Sequence, residues 1–215
     1  MFEQGDEMRT VLGATGALIV AVSAGYYFAD VLRGRTRPHQ ASWLVWAVVG
    51  VLGFGTADDG GAGPGAYAAA VDALAAVATF TLSLVPRFGK PGLRRSDVVL
   101  GAIALAAVVL WRWGPLSTGW AAVLAVGCDA VALWPTVREG WLRPELESRT
   151  SWGADVLGNG MCLAAVGSAS IAALAYPIYL LTACAAMTAI LYRPRRDTVT
   201  GSPRVVVAGA DVPVG

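Results

Sequence analysis

The sequence predicts an all-α integral membrane protein. Seven transmembrane helices are ordered as a 3+1+3 parallel repeat of three-helix bundles, with the N-terminus outside and the C-terminus cytoplasmic. Three observations carry this expectation. The 215 residues divide into seven apolar stretches of about 16 to 23 residues, close to the roughly 20 that cross a bilayer as a helix. Basic residues fall on alternate loops, and the chain matches itself at a displacement of 109 residues.

Composition supports the membrane assignment. Hydrophobic residues make up 56% of the chain, mean hydropathy is +0.58, and only 14% of residues are charged. Soluble domains carry about 25% charged residues. A net charge of +1 offers no basic surface for nucleic acid. Alanine and glycine are abundant, which suits close helix approach in lipid and permits a homo-oligomer. Cys128, Cys162 and Cys184 fall inside apolar stretches and match no zinc or redox spacing, so they read as small core residues. Residues 1–7 are acidic and no small-residue cleavage site follows the first apolar run, so no cleaved signal is expected.

The spans fall at 10–32, 41–57, 66–86, 98–113, 116–137, 152–170 and 175–192. The second and fourth are short and are expected to stand nearly upright. Arg33, Arg35 and Arg37 follow the first span; Arg87, Lys90, Arg94 and Arg95 follow the third. Arg138, Arg143 and Arg149 follow the fifth, and Arg193, Arg195, Arg196 and Arg204 follow the seventh. These segments hold 14 of the 16 basic residues, leaving only Arg9 and Arg112 on the other side. The positive-inside rule therefore makes the basic side cytoplasmic and the chain a multi-pass plasma (cytoplasmic) membrane protein. The expected organisation is an extracytoplasmic N-terminus (1–9), a first repeat (10–86), a cytoplasmic loop with a linker helix (87–115), a second repeat (116–192) and a cytoplasmic tail (193–215). The tail is rich in Val, Gly and Pro from Asp197 onward and is expected to be disordered.

The displacement of 109 places Ser42-Trp43 on Ser151-Trp152, Ala66-Tyr67 on Ala175-Tyr176, Thr79 on Thr188 and Leu82 on Leu191. A displacement of 106 places residues 28–34 on 134–140, so the second copy has a cytoplasmic loop three residues longer. Each unit has three spans and one further span separates them. Both units therefore share one orientation, related by an axis along the membrane normal.

The stretch Trp134-Pro135-Thr136-Val137-Arg138, followed by Glu147-Ser148-Arg149-Thr150-Ser151-Trp152, resembles the PQ-loop motif. In that motif a Pro-Gln pair ends the first helix of a repeat, and a basic loop leads to a Ser that opens the next. Arg35 to Trp43, with Ser42 in the equivalent place, is similar and more degenerate. Thr136 stands where the motif has Gln, and Ala29 where the first copy would carry Pro. With its three-one-three order, the chain is identified as a divergent member of the SWEET and PQ-loop transporter superfamily. That resemblance implies transport of a sugar or similar solute by rocking of two repeats, with Pro135, Thr136, Ser42 and Ser151 as motif or hinge positions. Gly25, Gly50, Gly53, Gly158 and Gly160 are candidates for backbone freedom or for packing contacts.

Ionisable groups inside a bilayer are costly and mark a functional path by default. Asp129 sits midway along the fifth span, Asp72 in the third and Asp155 one turn into the sixth, with Asn159 a turn deeper. No Lys or Arg lies at comparable depth, and a bare carboxylate in lipid predicts that at least one acid holds a proton at rest. That would couple solute movement to protons. Trp152, Asp155 and Asn159 recur at i, i+3 and i+7 and share a helix face. Trp43, Trp46 and Gly50 occupy the matching positions of the second span. Tyr176, Tyr179 and Tyr67 could add hydroxyls. Aromatic walls with a few convergent polar groups line small-molecule sites. An interfacial belt is the competing reading for tryptophans at helix ends, and a first-turn acid the competing reading for Asp155. His39, the single histidine, is expected to be solvated in its loop.

The expected function is transport of a small polar solute, with the lipid bilayer as the other partner; the family resemblance implies a sugar, and the acids equally suit a cationic or amino-acid-like solute. The competing readings are a non-transporting receptor or accessory protein of the same fold and, by resemblance of topology, a PnuC-like vitamin uptake protein. No His cluster, H-E-x-x-H, nucleophile elbow or phosphate loop points to an enzyme, a metal or a cofactor, and no span carries a Lys for a retinal Schiff base.

Overall fold

The computed structural model describes residues 2–92 and 95–194, and apart from an isolated bridge between His39 and Lys90 their regular structure is helical. The seven α-helices are α1 (Phe2–Leu32), α2 (Gln40–Asp59), α3 (Tyr67–Ser83), α4 (Arg95–Trp113), α5 (Thr118–Leu142), α6 (Arg149–Ala164) and α7 (Ile171–Tyr192). Short 3-10 turns at Gly63–Ala66 and Pro144–Leu146 precede α3 and α6. Five segments are long and apolar enough to cross a bilayer: Gln4–Leu32, Gln40–Asp59, Gly63–Ser83, Thr118–Leu142 and Ile171–Tyr192. They point to a multi-pass membrane protein. Large apolar side chains such as Leu18, Leu74, Val98, Leu105 and Ile171 are exposed on the outside of the bundle, as lipid contact requires.

The helices form one bundle. α3 packs beside both α1 and α2, and α7 beside both α5 and α6. The two groups meet where α1 lies along α6 and α2 along α5, while α4 packs against α2 and α5. The loops after α1, α3 and α5 converge at one end. There Lys90 N–H donates to Pro38 O at 2.9 Å, Gln40 Nε2 donates to Ser83 O at 2.7 Å and Thr36 Oγ1 bonds to Leu146 O. At the opposite end Gly167 N–H donates to Ala62 O at 3.1 Å and Ser170 Oγ to Gly60 O at 2.9 Å.

Several boundaries depart from the sequence reading. α1 begins at Phe2 rather than residue 10. Asp6 and Glu7 sit near its start, where the helix dipole favours acids, and Arg9 pairs with Asp6 at 3.7 Å. The segment 1–9 is thus largely helix. α6 stops at Ala164 instead of 170, and at 16 residues it spans about 24 Å, less than the hydrocarbon core. Residues 165–170 turn back instead, because Ser170 caps α7 by accepting from Ala173 N–H at 3.1 Å. α7 accordingly starts four residues before the expected 175. α5 runs to Leu142, so Pro135 lies within a helix rather than at its end. There it forfeits one backbone hydrogen bond and its ring crowds the carbonyl one turn back, at a cost of about 3 kcal/mol. The tail from residue 195 lies outside the described residues, as does Arg94.

Small residues let the backbones approach. A Cβ at Gly158 would lie 2.6 Å from Val20 Cγ2 and 2.7 Å from Gly16 O, and one at Gly50 would lie 3.0 Å from Ala73 Cα. Gly53 lies directly under the Tyr176 ring. Gly50, Gly53 and Gly158 are therefore packing contacts. Gly25 has nothing within 4 Å of its would-be Cβ. Gly158→Ala is expected to lower stability by about 1–3 kcal/mol through overpacking of α1 on α6. Gly25→Ala is expected to raise it by up to about 1 kcal/mol through helix propensity. Thermal unfolding of the two variants in one detergent tests the contrast.

Candidate functional site

Two cavities lie in line along the bundle. The deeper one encloses about 130 Å³ and is walled by α1, α2, α3, α5, α6 and α7. Its wall contains Asp72, Asp129, Asp155, Trp46, Trp152, Tyr176, Tyr179 and Ser151. Seven of the eight side chains named as solute ligands thus converge on one space. Asn159 does not line it. Its side chain is fully buried behind the wall, where Nδ2 donates to Asp155 O at 3.0 Å and approaches Cys184 Sγ at 4.0 Å. It sits a turn beyond Asp155 within α6, so the face it shares with Trp152 and Asp155 is only partly open. Tyr67 is 40% exposed and lies away from the cavity.

Asp129 is the best anchored of the acids. Tyr176 and Tyr179, one turn apart on α7, donate their hydroxyls to its two oxygens at 2.8 and 2.9 Å. Their rings stand 6.0 Å apart. The carboxylate is 6% exposed, so two O–H donors offset part of the cost of removing it from water. Nearby, Ser23 and Ser151 bond through their hydroxyls at 2.8 Å, tying α1 to α6 beside Asp155. Thr79 Oγ1, Trp46 Nε1 and Asp155 Oδ1 are buried and have no hydrogen-bond partner within the protein. Trp46 Nε1 faces Asp129 without reaching hydrogen-bond geometry.

The second cavity, of about 530 Å³, opens at the end where the basic loops meet. Its wall holds Arg35, Arg37, Lys90 and Arg138 together with Glu139 and Glu147, and it contains the motif positions Ser42, Pro135 and Thr136. His39 also lines it, with interactions of its own, rather than standing free in a loop. The two cavities share four wall residues: Tyr27, Trp43, Trp46 and Trp152. Trp43 stacks near Tyr27 at 5.0 Å and meets Trp46 edge-on at 5.1 Å. These tryptophans form an internal partition, not a lipid belt. Trp113, Trp120, Trp134 and Trp141 are all more than half exposed, and Trp134 also borders the wider cavity. Beyond the deep cavity, away from the basic loops, the helices close tightly, with Gly60 against Ala172 and Ala173 and Gly13 against Pro64.

Trp152 Nε1 also donates to Glu147 Oε2 at 3.3 Å across the mouth of the wider cavity. Burial pushes the Glu147 carboxyl up to about 7, against the opposing pull of the Trp152 hydrogen bond and of Lys90, and with a further push from Glu139. The proton is held more tightly in the folded chain than in the unfolded one. Its contribution to stability is therefore full below about pH 4.5 and is lost as pH rises through about 7.

Sequence reasoning missed Tyr27, Ser23 and Thr79. Val20, Ala24, Tyr27 and Phe28 all line the cavity at i, i+4, i+7 and i+8, so helical spacing was the available signal for Tyr27. The three cysteines are buried thiols, as expected, and Cys184 also borders the cavity. No family model matches the chain, and no curated protein or solved structure matches it either.

Two outcomes are expected. Glu147→Gln should abolish a Trp fluorescence transition centred near pH 7 and flatten the stability profile between about pH 5 and 7, as read by thermal unfolding across pH. Tyr176→Phe should cost about 1–3 kcal/mol by leaving Asp129 Oδ2 without its donor, and Tyr179→Phe less, because that side chain is only partly buried. Equilibrium unfolding in a fixed detergent measures both.

Proposed function

We propose that this chain is a plasma-membrane carrier for a small polar solute, working by alternating access between two three-helix repeats, with proton movement coupled to solute movement. The observation that carries the reading is the stacked pair of cavities. A deep chamber with three carboxylates is separated by an aromatic partition from a wider mouth at the basic end. Such a chamber, closed on one side and divided by a few side chains from a mouth on the other, is what a carrier presents in one of its two states.

The helix packing supports the repeat. Exchanging α1, α2 and α3 for α5, α6 and α7 turns the α1–α3 contact into α5–α7, α2–α3 into α6–α7, and α1–α6 into α5–α2. Each of these contacts is present. The chamber draws wall residues from both sets of three helices. On this reading the seven helices form a 3+1+3 arrangement with α4 as the linker. The basic end, with Arg33, Arg35, Arg37, Arg87, Lys90, Arg138, Arg143 and Arg193, is cytoplasmic. The PQ-loop and SWEET likeness agrees in topology, and Pro135 and Thr136 lie at the cytoplasmic mouth.

A receptor of the same fold is the second reading. It draws on the unbroken course of α5 through Pro135, which leaves no separated hinge at the motif. Flux decides between them. In proteoliposomes tested with sugars, amino acids, amines and vitamins, with and without a pH gradient, the carrier reading expects saturable uptake. It also expects at least a tenfold loss of uptake in Asp129→Asn and a smaller loss in Asn159→Ala. Uptake and pH dependence unchanged in Asp129→Asn would remove that residue from the coupling path. Binding without flux across the whole panel would favour the receptor.

A further inference from the structure

We propose that the deep chamber takes a small organic ammonium ion, a primary or secondary amine of about six heavy atoms. This deepens the carrier reading and rests on it for the chamber's role, but it is argued from the chamber's own chemistry. Three carboxylates, from α3, α5 and α6, line the wall, and no Lys, Arg or His does. In a low-dielectric enclosure that arrangement attracts a cation and repels an anion far more strongly than it would in water.

The unpartnered atoms specify the kind of cation. Asp155 Oδ1 can only accept while ionised, so it calls for a hydrogen-bond donor, which a quaternary ammonium lacks. Thr79 Oγ1, 1% exposed and on the same wall, accepts or donates. The Tyr27, Trp43, Trp46 and Trp152 rings at the cytoplasmic edge present π faces, which favour an ammonium group over a neutral polar one. Among the described residues, no three His, Cys, Asp or Glu side chains are grouped to hold a metal ion, which favours an organic cation over an inorganic one.

Size narrows the class further. A cavity of about 150 Å³ holds benzene, with its six or so heavy atoms. At about 130 Å³ this chamber is slightly smaller. A hexose, with about twelve heavy atoms, is roughly twice too large for it.

The test is equilibrium binding to the full-length chain in lipid nanodiscs, read by tryptophan fluorescence and calorimetry. The probes are cyclopentylamine, its neutral isostere cyclopentanol, tetramethylammonium, butyrate and glucose. Cyclopentylamine is expected to bind at least tenfold tighter than each of the others. Asp155→Asn should weaken it at least tenfold while changing cyclopentanol binding less than twofold. Thr79→Val, which keeps the side-chain shape, should weaken it about threefold and guards against a folding defect in the Asp variant. Equal binding of cyclopentanol or glucose, or no amine binding by monodisperse wild-type protein, would overturn the proposal. Amine binding without amine flux in proteoliposomes would overturn the carrier reading and leave this inference standing. Saturable flux of a neutral sugar would do the reverse.

Discussion

Close approach of helix backbones at small residues is the constraint on which the rest of this structure depends. In lipid there is no hydrophobic drive to bring apolar helices together, so contact must come from packing. Gly16 against Gly158, Gly50 against Ala73 and Gly53 under Tyr176 supply it. These contacts draw α1 onto α6 and α2 onto α3 and α7. They close the bundle at the end remote from the basic loops and leave space at the level of Gly50, where bulky aromatics replace small residues. The chamber exists because the packing changes from glycine-mediated to aromatic along the same helices.

The buried acids follow from that geometry. A carboxylate in a bundle interior is tolerable only with donors in place, and α7 supplies two to Asp129 from successive turns. Asp155 has less support, and its free oxygen faces the same space as the Thr79 hydroxyl and the Trp46 indole. One acid is thus held fast while another, with its neighbours, has bonding capacity left over. This division suits a site in which the first orients and the second engages a solute. Glu147, at the mouth, accepts from the Trp152 indole, and burial pushes its carboxyl up to about 7, which links the partition to the basic end.

The comparison with the sequence is instructive residue by residue. Asp72, Asp129 and Asp155 were legible as candidates because charge in an apolar run has few bland explanations, and the structure brings all three to one cavity. Trp46, Trp152, Tyr176 and Tyr179 were legible as candidates but not as a site, since aromatics at helix ends serve belts equally well. Asn159 was misplaced because a shared face along one helix does not say which part of it a neighbouring helix covers. Tyr27 was missed because it carries no charge and sits in a run of similar residues. Boundaries failed where a short polar signal outweighed hydropathy. Ser170 capped the start of α7, and the early acids of α1 extended it backward.

The sequence by itself determined the helical class, the apolar lengths that suit a bilayer, the segregation of basic residues to alternate loops and the presence of acids at depth. These follow from local composition, which sets transfer cost and helix periodicity whatever the partners. Only the tertiary structure decided that the three acids face one chamber, that two tyrosines hold Asp129, and that the tryptophans divide two cavities instead of facing lipid. Those outcomes depend on the rotation and separation of neighbouring helices. Rotation and separation are set by which small residues meet across the interfaces, over chain separations such as that between Gly16 and Gly158, where no local pattern reaches.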